Sequence, residues 1–338
     1  LIIDKKNIKN ILVIRFKGLG DILLSIPALR ALKTAYPGAK LSLLVNREAE
    51  QVVSGLPFID ELILFDKDKK GGVLDGIKMI NMIRKSKFDL VLDLIGTPRS
   101  ALITAFSGAK YRAGTTHRVR QRAYNIKVRG PKEILYGAKV HLLAAFVCGA
   151  DITNETLELE IKIPKETELI ISAYLNKNGI RSREVIGLNP FTKFETRNWG
   201  IENFASLSDK LVRSGKKVML LWGPGEDVEK FLSIAKEKVL LAPETDIKSL
   251  AALLSKIRVV ITTNTFTKHL AAAVKTPTLT IYGATNPRAW EPESKNGSDY
   301  IWAGVDCQPC EKNKCKDLKC LKNITVAEVL NKLTKMIE

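Results

Sequence analysis

Lys17-Gly-Leu-Gly-Asp21 sets a cation, two glycines and a carboxylate side by side at the end of an apolar run. Glycines let a ligand approach backbone N–H groups, which carry positive partial charge where a helix starts. Asp21 is the best general-base candidate in the chain, because a carboxylate can take the proton of a hydroxyl that turns nucleophile. No Gly-Lys-Ser/Thr follows, so the segment is not a P-loop, and it lacks the third glycine of the dinucleotide fingerprint. A plain turn, with Asp21 favoured only by the helix dipole, fits the same residues.

Two further loops carry groups suited to a diphosphate. Asn264-Thr265-Phe266-Thr267-Lys268-His269 clusters an amide, hydroxyls and a cation between a strand and a helix, and Phe191–Trp199 offers Thr192, Lys193 and Arg197. A Thr helix cap with a half-buried His269, and a solvated loop over Trp199, are the structural alternatives. From Lys110 to Lys139 nine Lys or Arg stand against one acid, Glu133, a density that suits an anionic partner or simply a solvated loop. Cys307, Cys310, Cys315 and Cys320 put four thiols within fourteen residues, enough for a structural zinc, an iron–sulfur cluster or two local disulfides. Cys148 sits in an apolar helix and reads as core. His117, His141 and His269 form no metal-ligand pattern, and no G-x-S-x-G elbow exists.

Positioning these loops requires strands that end at them. Asn10–Phe16 is near-continuously apolar, as a strand covered on both faces of a parallel sheet must be. An amphipathic helix over Ile22–Ala35 follows, then strands at Lys40–Val45, Glu61–Phe65 and Asp89–Leu94, with helices near Arg47–Ser54, Val73–Lys85 and Pro98–Phe106. After Leu159–Ile163 the alternation restarts. A helix near Glu166–Lys177 leads to strands at Val185–Asn189, Lys217–Trp222, Val239–Ala242, Val259–Thr262 and Thr278–Tyr282, with helices near Ile201–Arg213, Asp227–Ala235, Ile247–Lys256 and Thr267–Val274. Thr325-x-x-Glu328 is a capping box opening a last amphipathic helix. The expectation is an α/β protein of two Rossmann-like, doubly wound parallel-sheet domains facing a central cleft, with ligands at the carboxyl ends of the strands. The boundary falls in Gly149–Pro164, placed at 155/156, with 324–338 a helix that packs back on the N-terminal half.

The 338 residues are 45% hydrophobic and 27% charged, which excludes a disordered or disulfide-scaffold chain and suits two domains. The net charge of +18 favours polyanions without naming one. No run is apolar enough to span a bilayer and no signal-peptide core opens the chain, so the expected location is the cytoplasm. Aromatic interleaving and recognised nucleic-acid modules are missing, which argues against a nucleic-acid partner.

With these residues in view the chain resembles glycosyltransferase family 9, the ADP-heptose:lipopolysaccharide heptosyltransferases. The resemblance rests on Ile14-Arg-Phe-Lys-Gly-Leu-Gly-Asp-Ile-Leu-Leu-Ser-Ile-Pro-Ala-Leu29, Phe88–Leu94 with Arg99-Ser-Ala101, Trp222-Gly-Pro-Gly-Glu226, His269-Leu-Ala-Ala-Ala273, Thr276-Pro-Thr278 and Tyr282-Gly-Ala-Thr-Asn-Pro287. It implies a GT-B fold and inverting, metal-independent transfer of heptose from ADP-heptose to an anionic lipopolysaccharide precursor at the cytoplasmic face of the inner membrane. The N-terminal domain would hold the acceptor and the C-terminal domain the nucleotide sugar. By the same resemblance Asp21 is the catalytic base. Thr192, Lys193, Arg197 and Glu226, with the loop Asn264, Thr265, Phe266, Thr267, Lys268 and His269, would bind the donor. Lys17, Gly18, Gly20, Arg99, Arg118, Arg120 and Arg122 would bind the acceptor. No cofactor beyond the ADP-sugar co-substrate is implied. Three positions depart from the family pattern: Arg197 replaces the usual Lys, Asn264 an Asp and Phe266 a Gly. They leave open a different nucleotide sugar, or binding without catalysis.

Overall fold

Strands as apolar as Ile11–Ile14 and Val259–Ile261 have no polar face to show water, so helices must cover both sides of the sheets they form. The computed structural model describes residues 3–66, 73–115, 118–292 and 297–337, with the backbone alone at 73, 74, 118 and 119. It divides into two units, residues 1–162 and 163–338.

The first unit contains β1 (Asn10–Ile14), β2 (Lys40–Asn46), β3 (Glu61–Phe65), β4 (Leu90–Asp93), β5 (Tyr111–Thr115) and β6 (Ile126–Val128). They form one parallel sheet in the order β3-β2-β1-β4-β5-β6. Its helices are α1 (Leu19–Leu24), α2 (Ile26–Ala35), α3 (Glu50–Val53), α4 (Val73–Lys85), α5 (Pro98–Phe106) and α6 (Gly137–Val147). The second unit contains β7 (Val185–Asn189), β8 (Lys217–Leu220), β9 (Leu240–Leu241), β10 (Val259–Thr263), β11 (Thr278–Tyr282) and β12 (Asp299–Trp302), all parallel in the order β12-β11-β10-β7-β8-β9. Its helices are α7 (Lys165–Lys177), α8 (Ile201–Arg213), α9 (Val228–Ile234), α10 (Ile247–Lys256), α11 (Phe266–Ala273), α12 (Pro287–Trp290), α13 (Lys319–Lys322) and α14 (Val326–Ile337). Counted from its own first strand, the second sheet repeats the order of the first. In each sheet the strand order reverses beside the first strand, where such sheets bind ligands.

Four features refine that expectation. The helix over Ile22–Ala35 is two helices meeting at Ser25, because Pro27 has no N–H with which to continue the ladder. β5 and β6 cut through the basic stretch; β6 is short, and its Ile126 and Val128 are buried on either side of exposed Lys127. Residues 151–162 belong to the first unit, where Arg30 of α2 pairs with Glu155 (3.2 Å) and Glu160 (2.5 Å) and donates to the Thr156 carbonyl (3.1 Å). Finally, α14 lays Val329 and Leu333 into the core of the second unit against α8. Among the described residues no helix is long and apolar enough to cross a membrane.

Candidate active site

In the first unit the chain leaves β1 through Arg15, turns at Gly18 and enters α1 with Asp21 in its first turn. Gly18 has φ +78°, and a Cβ there would lie 2.1 Å from Asp21 Oδ2, so only glycine lets the carboxylate fold back over the turn. Arg15 Nη2 grips the other oxygen, Asp21 Oδ1, at 2.8 Å. Arg15 is itself 8% exposed; its Nη1 donates to the Leu94 carbonyl (3.4 Å) and its Nε has no partner. Close to it lies half-buried His141, whose pKa desolvation and then the Arg15 charge push down to about 3, leaving the ring neutral. Asp21 is a third exposed and held in one orientation, which suits a group that must meet a hydroxyl from solvent.

A cavity of about 330 Å³ opens at the ends of β1, β2 and β3, lined by Phe16, Lys17, Asn46, Phe65, Thr97 and Arg99 among others. Phe16 and Phe65 pack at 5.5 Å, and the Arg99 guanidinium lies 4.9 Å over the Phe65 ring, a cation–π contact. Asn46 is 8% exposed, yet its side chain caps nothing and has no hydrogen-bond partner among the described residues. Lys17 and Arg99 likewise have no carboxylate partner there. A cavity with two unpaired cations and a free amide suits an anionic, hydroxylated ligand. The floor beside it is fixed by buried Asp93, which accepts from the Ile95 and Gly96 amides (3.0 and 2.9 Å) and the Tyr124 hydroxyl (2.7 Å).

The strand ends of the second unit are stitched to one another. Asn189, at the end of β7, donates to the Leu221 carbonyl (3.3 Å) and accepts from the hydroxyls of Thr262 (3.2 Å) and Thr265 (3.4 Å). Asn264 donates to Thr285 (3.1 Å), and its carbonyl accepts from Arg197 Nη1 (3.3 Å). The Arg197 guanidinium also stacks 4.8 Å over Phe194. The turn carrying Arg197 is locked from below: the Thr196 carbonyl accepts the Ala284 amide (3.1 Å), and a Cβ on Gly283 would lie 2.0 Å from that carbonyl oxygen. Glu226 accepts the Gly223 amide at 2.7 Å. Burial raises its pKa, and the Gly223 hydrogen bond and Lys193 pull it back. Lys193 is exposed, while Thr192, Thr265 and Phe266 are partly so, leaving hydroxyl and cationic groups at the surface of these loops.

Not every expected residue is at the surface. Lys268 is fully buried, donating to Tyr282 Oη (2.7 Å) and the Trp290 carbonyl and lying 3.8 Å from Glu291 Oε2. Burial lowers its pKa to about 8 against the pull of Glu291. It anchors α11 to α12, with its ammonium turned into the core. His269 is 3% exposed with Nδ1 unpartnered, its edge toward Trp290. Burial lowers its pKa well below the usual histidine value, so it serves as a neutral wall. Arg120 and Arg122 stand on the 3-10 helix Arg118–Ala123 and do not line the cavity, and the side chain of Arg118 and all of His117 lie outside the described residues. Arg112 is structural, bound to the carbonyls of Ala109 (2.8 Å) and Ala123 (3.2 Å). Of the four clustered thiols Cys307 is exposed, Cys310 and Cys315 are half-buried and Cys320 is buried. Cys307, Cys310 and Cys315 lie near enough to add to the burial that raises the Cys320 pKa, and among the described residues no group of three or more His, Cys, Asp or Glu is disposed to hold a metal ion.

Arg15, Asn46 and Asn189 were missed. All three are polar residues at the carboxyl end of an apolar strand, and that position alone could have flagged them.

A family model, glycosyltransferase family 9 (heptosyltransferase), matches residues 77–321. Lipopolysaccharide heptosyltransferase 3 of Escherichia coli (strain K12) is 25% identical over 330 residues, covering 94% of this chain and 95% of that protein. Among solved structures, a family 9 glycosyl transferase from Veillonella parvula superposes with TM-score 0.86 at 22% identity, over 100% of this chain and 98% of the other. The ADP-heptose lipopolysaccharide heptosyltransferase II of E. coli superposes with TM-score 0.77 at 20% identity, over 97% and 98%.

Proposed function

The chain belongs to glycosyltransferase family 9, and from that premise we propose that it moves a heptose from ADP-heptose to an anionic precursor of the lipopolysaccharide inner core, inverting the anomeric centre. The observation that carries the reading is the Arg15–Asp21 pair at 2.8 Å, next along the chain to a cavity whose cations have no carboxylate partner among the described residues. Relatives named as lipopolysaccharide heptosyltransferases support the donor and acceptor class.

In this mechanism Asp21 takes the proton of the acceptor hydroxyl as the oxygen's electron pair attacks the anomeric carbon. The bond from that carbon to the diphosphate oxygen breaks, and its electron pair leaves with ADP. Arg15 is a positioning residue that keeps Asp21 aimed. Thr192, Lys193 and Arg197 supply hydroxyl and cationic groups for the leaving diphosphate, and Lys17, Asn46 and Arg99 hold the acceptor's acidic groups. The nucleotide sugar is a co-substrate and no other cofactor is invoked. Because the acceptor is anchored in lipid, the enzyme works at the cytoplasmic face of the inner membrane.

Asn264 and Phe266 favour a second reading in which the donor is another nucleotide sugar, or is bound without transfer. Asn264 has spent its amide on Thr285, and Phe266 opens α11 where backbone approach would need glycine. Incubation with ADP-heptose and heptose-free inner core, read by mass spectrometry, decides between them. A product heavier by one heptose is expected. Transfer from a different nucleotide sugar alone removes the donor assignment, and ADP binding without any product makes the chain a binding protein.

A further inference from the structure

Helix α5 starts at the cavity and carries an apolar stripe away from it. Arg99, Leu102 and Phe106 are spaced three and four residues apart and so share one face. Leu102 is 53% and Phe106 54% exposed, while Ile103 enters the core and Ala101 and Ala105 pack on Tyr124. The neighbouring helix α4 buries Ile83, packs Met79 and Ile80 half-buried beside it, and leaves Ile77 (48%) and Met82 (42%) outside.

Cations border this apolar ridge on both flanks. On one side Arg84, Lys85 and Lys87 close α4, and Arg84 Cγ would lie 3.6 Å from a Cβ on Gly108, just past the end of α5. On the other, Arg120 and Arg122 ride on the 3-10 helix that packs against α5. None of these five, nor Arg99, makes an ion pair to a carboxylate among the described residues.

We propose that the outer face of α4 and α5 docks this chain on an anionic lipid bilayer, with Leu102 and Phe106 inserted at the headgroup boundary and the flanking Arg and Lys on the phosphates. Charge decides the occupant. A second copy would bring the same cations against themselves across a two-fold contact, which repels. A sheet of anionic headgroups neutralises both flanks at once, and long basic side chains reach it while their stems stay on apolar surface. The proposal rests on the lipid-anchored acceptor of the preceding section, because the same helix places Arg99 at the cavity and Phe106 at the membrane. It gives a second role to the basic stretch beyond the acceptor contacts.

The full chain is sedimented with vesicles of phosphatidylethanolamine and phosphatidylglycerol and, separately, of phosphatidylcholine alone. Binding to the anionic vesicles only is expected, weakening as salt screens it. Leu102→Ser with Phe106→Ser should cut binding by about tenfold, and Arg84→Gln by roughly fivefold. Both should keep the wild-type melting temperature and the wild-type rate on a lipid-free acceptor glycan. Equal binding to both vesicle types overturns the proposal, as does undiminished binding by the double variant or a dimer that the double variant splits. Loss of transfer to the lipid-free glycan in the wild type would count against the proposed reaction and leave vesicle binding intact.

Discussion

Around the cavity of the N-terminal half, the polar ends of Lys17, Asn46 and Arg99 have no hydrogen-bond or carboxylate partner among the described residues, whereas in the C-terminal half Asn189, Thr262, Thr265, Asn264 and Thr285 hydrogen-bond one another across the strand ends. The strand order is the same in both. One half has its loops set before a ligand arrives, as suits a nucleotide whose parts must be met in fixed places. The other keeps its charge unspent for an anionic partner, and fixes only the carboxylate that would do chemistry. One topology thus yields a rigid half and a charged, open one through the residues at and just beyond the strand ends.

The largest effect that can break this contrast concerns the stitched half. Lys268→Met leaves Glu291 buried without its cation and should cost about 3–5 kcal/mol in chemical unfolding, with Lys268→Met plus Glu291→Gln recovering most of it. An unchanged stability would mean that Lys268 does not anchor α11. Next, Gly18→Ala drives a methyl into Asp21 Oδ2 and should lower the transfer rate by roughly 100-fold while ADP binding is kept. If the rate survives, the carboxylate does not need its folded-back position. Smaller again, Arg15→Gln should slow turnover by about tenfold with little change in the donor KM, and Arg15→Lys should restore part of it. An equal rise in donor KM would place Arg15 in binding instead of positioning.

The smallest effect is on pH dependence. His141 has a folded pKa of about 3 against an ordinary 6.5, so between these values the unfolded chain binds the extra proton. Stability therefore falls as pH drops below 6.5 and continues to fall toward 3, by up to about 1.4 kcal/mol per pH unit from this group. His141→Gln should flatten that part of the acid limb in thermal scans. An unaltered limb would move the acid sensitivity elsewhere in the molecule.

Much of the fold was legible because buried parallel strands leave unbroken apolar runs: β1, β7 and β10 were visible for that reason. β5, β6 and β12 were not, since Tyr111-Arg-Ala-Gly-Thr115, Ile126-Lys-Val128 and Asp299-Tyr-Ile-Trp302 mix polar with apolar residues. Within the candidate site, spacing pointed to Asp21, Lys193 and Arg197. It could not separate Lys268 from its neighbours, because whether a lysine after a helix cap faces solvent or core depends on Tyr282 and Glu291, far along the chain. Asn46 escaped for a similar reason: a lone amide ending a strand acquires meaning only when Lys17 and Arg99 arrive beside it from other loops.

Turnover of Asp21→Asn on ADP-heptose and inner-core acceptor, measured together with ADP binding, tests the central claim most directly. The account predicts a loss of about 10²–10⁴ in rate with nucleotide affinity unchanged. Transfer at near wild-type rate would contradict it.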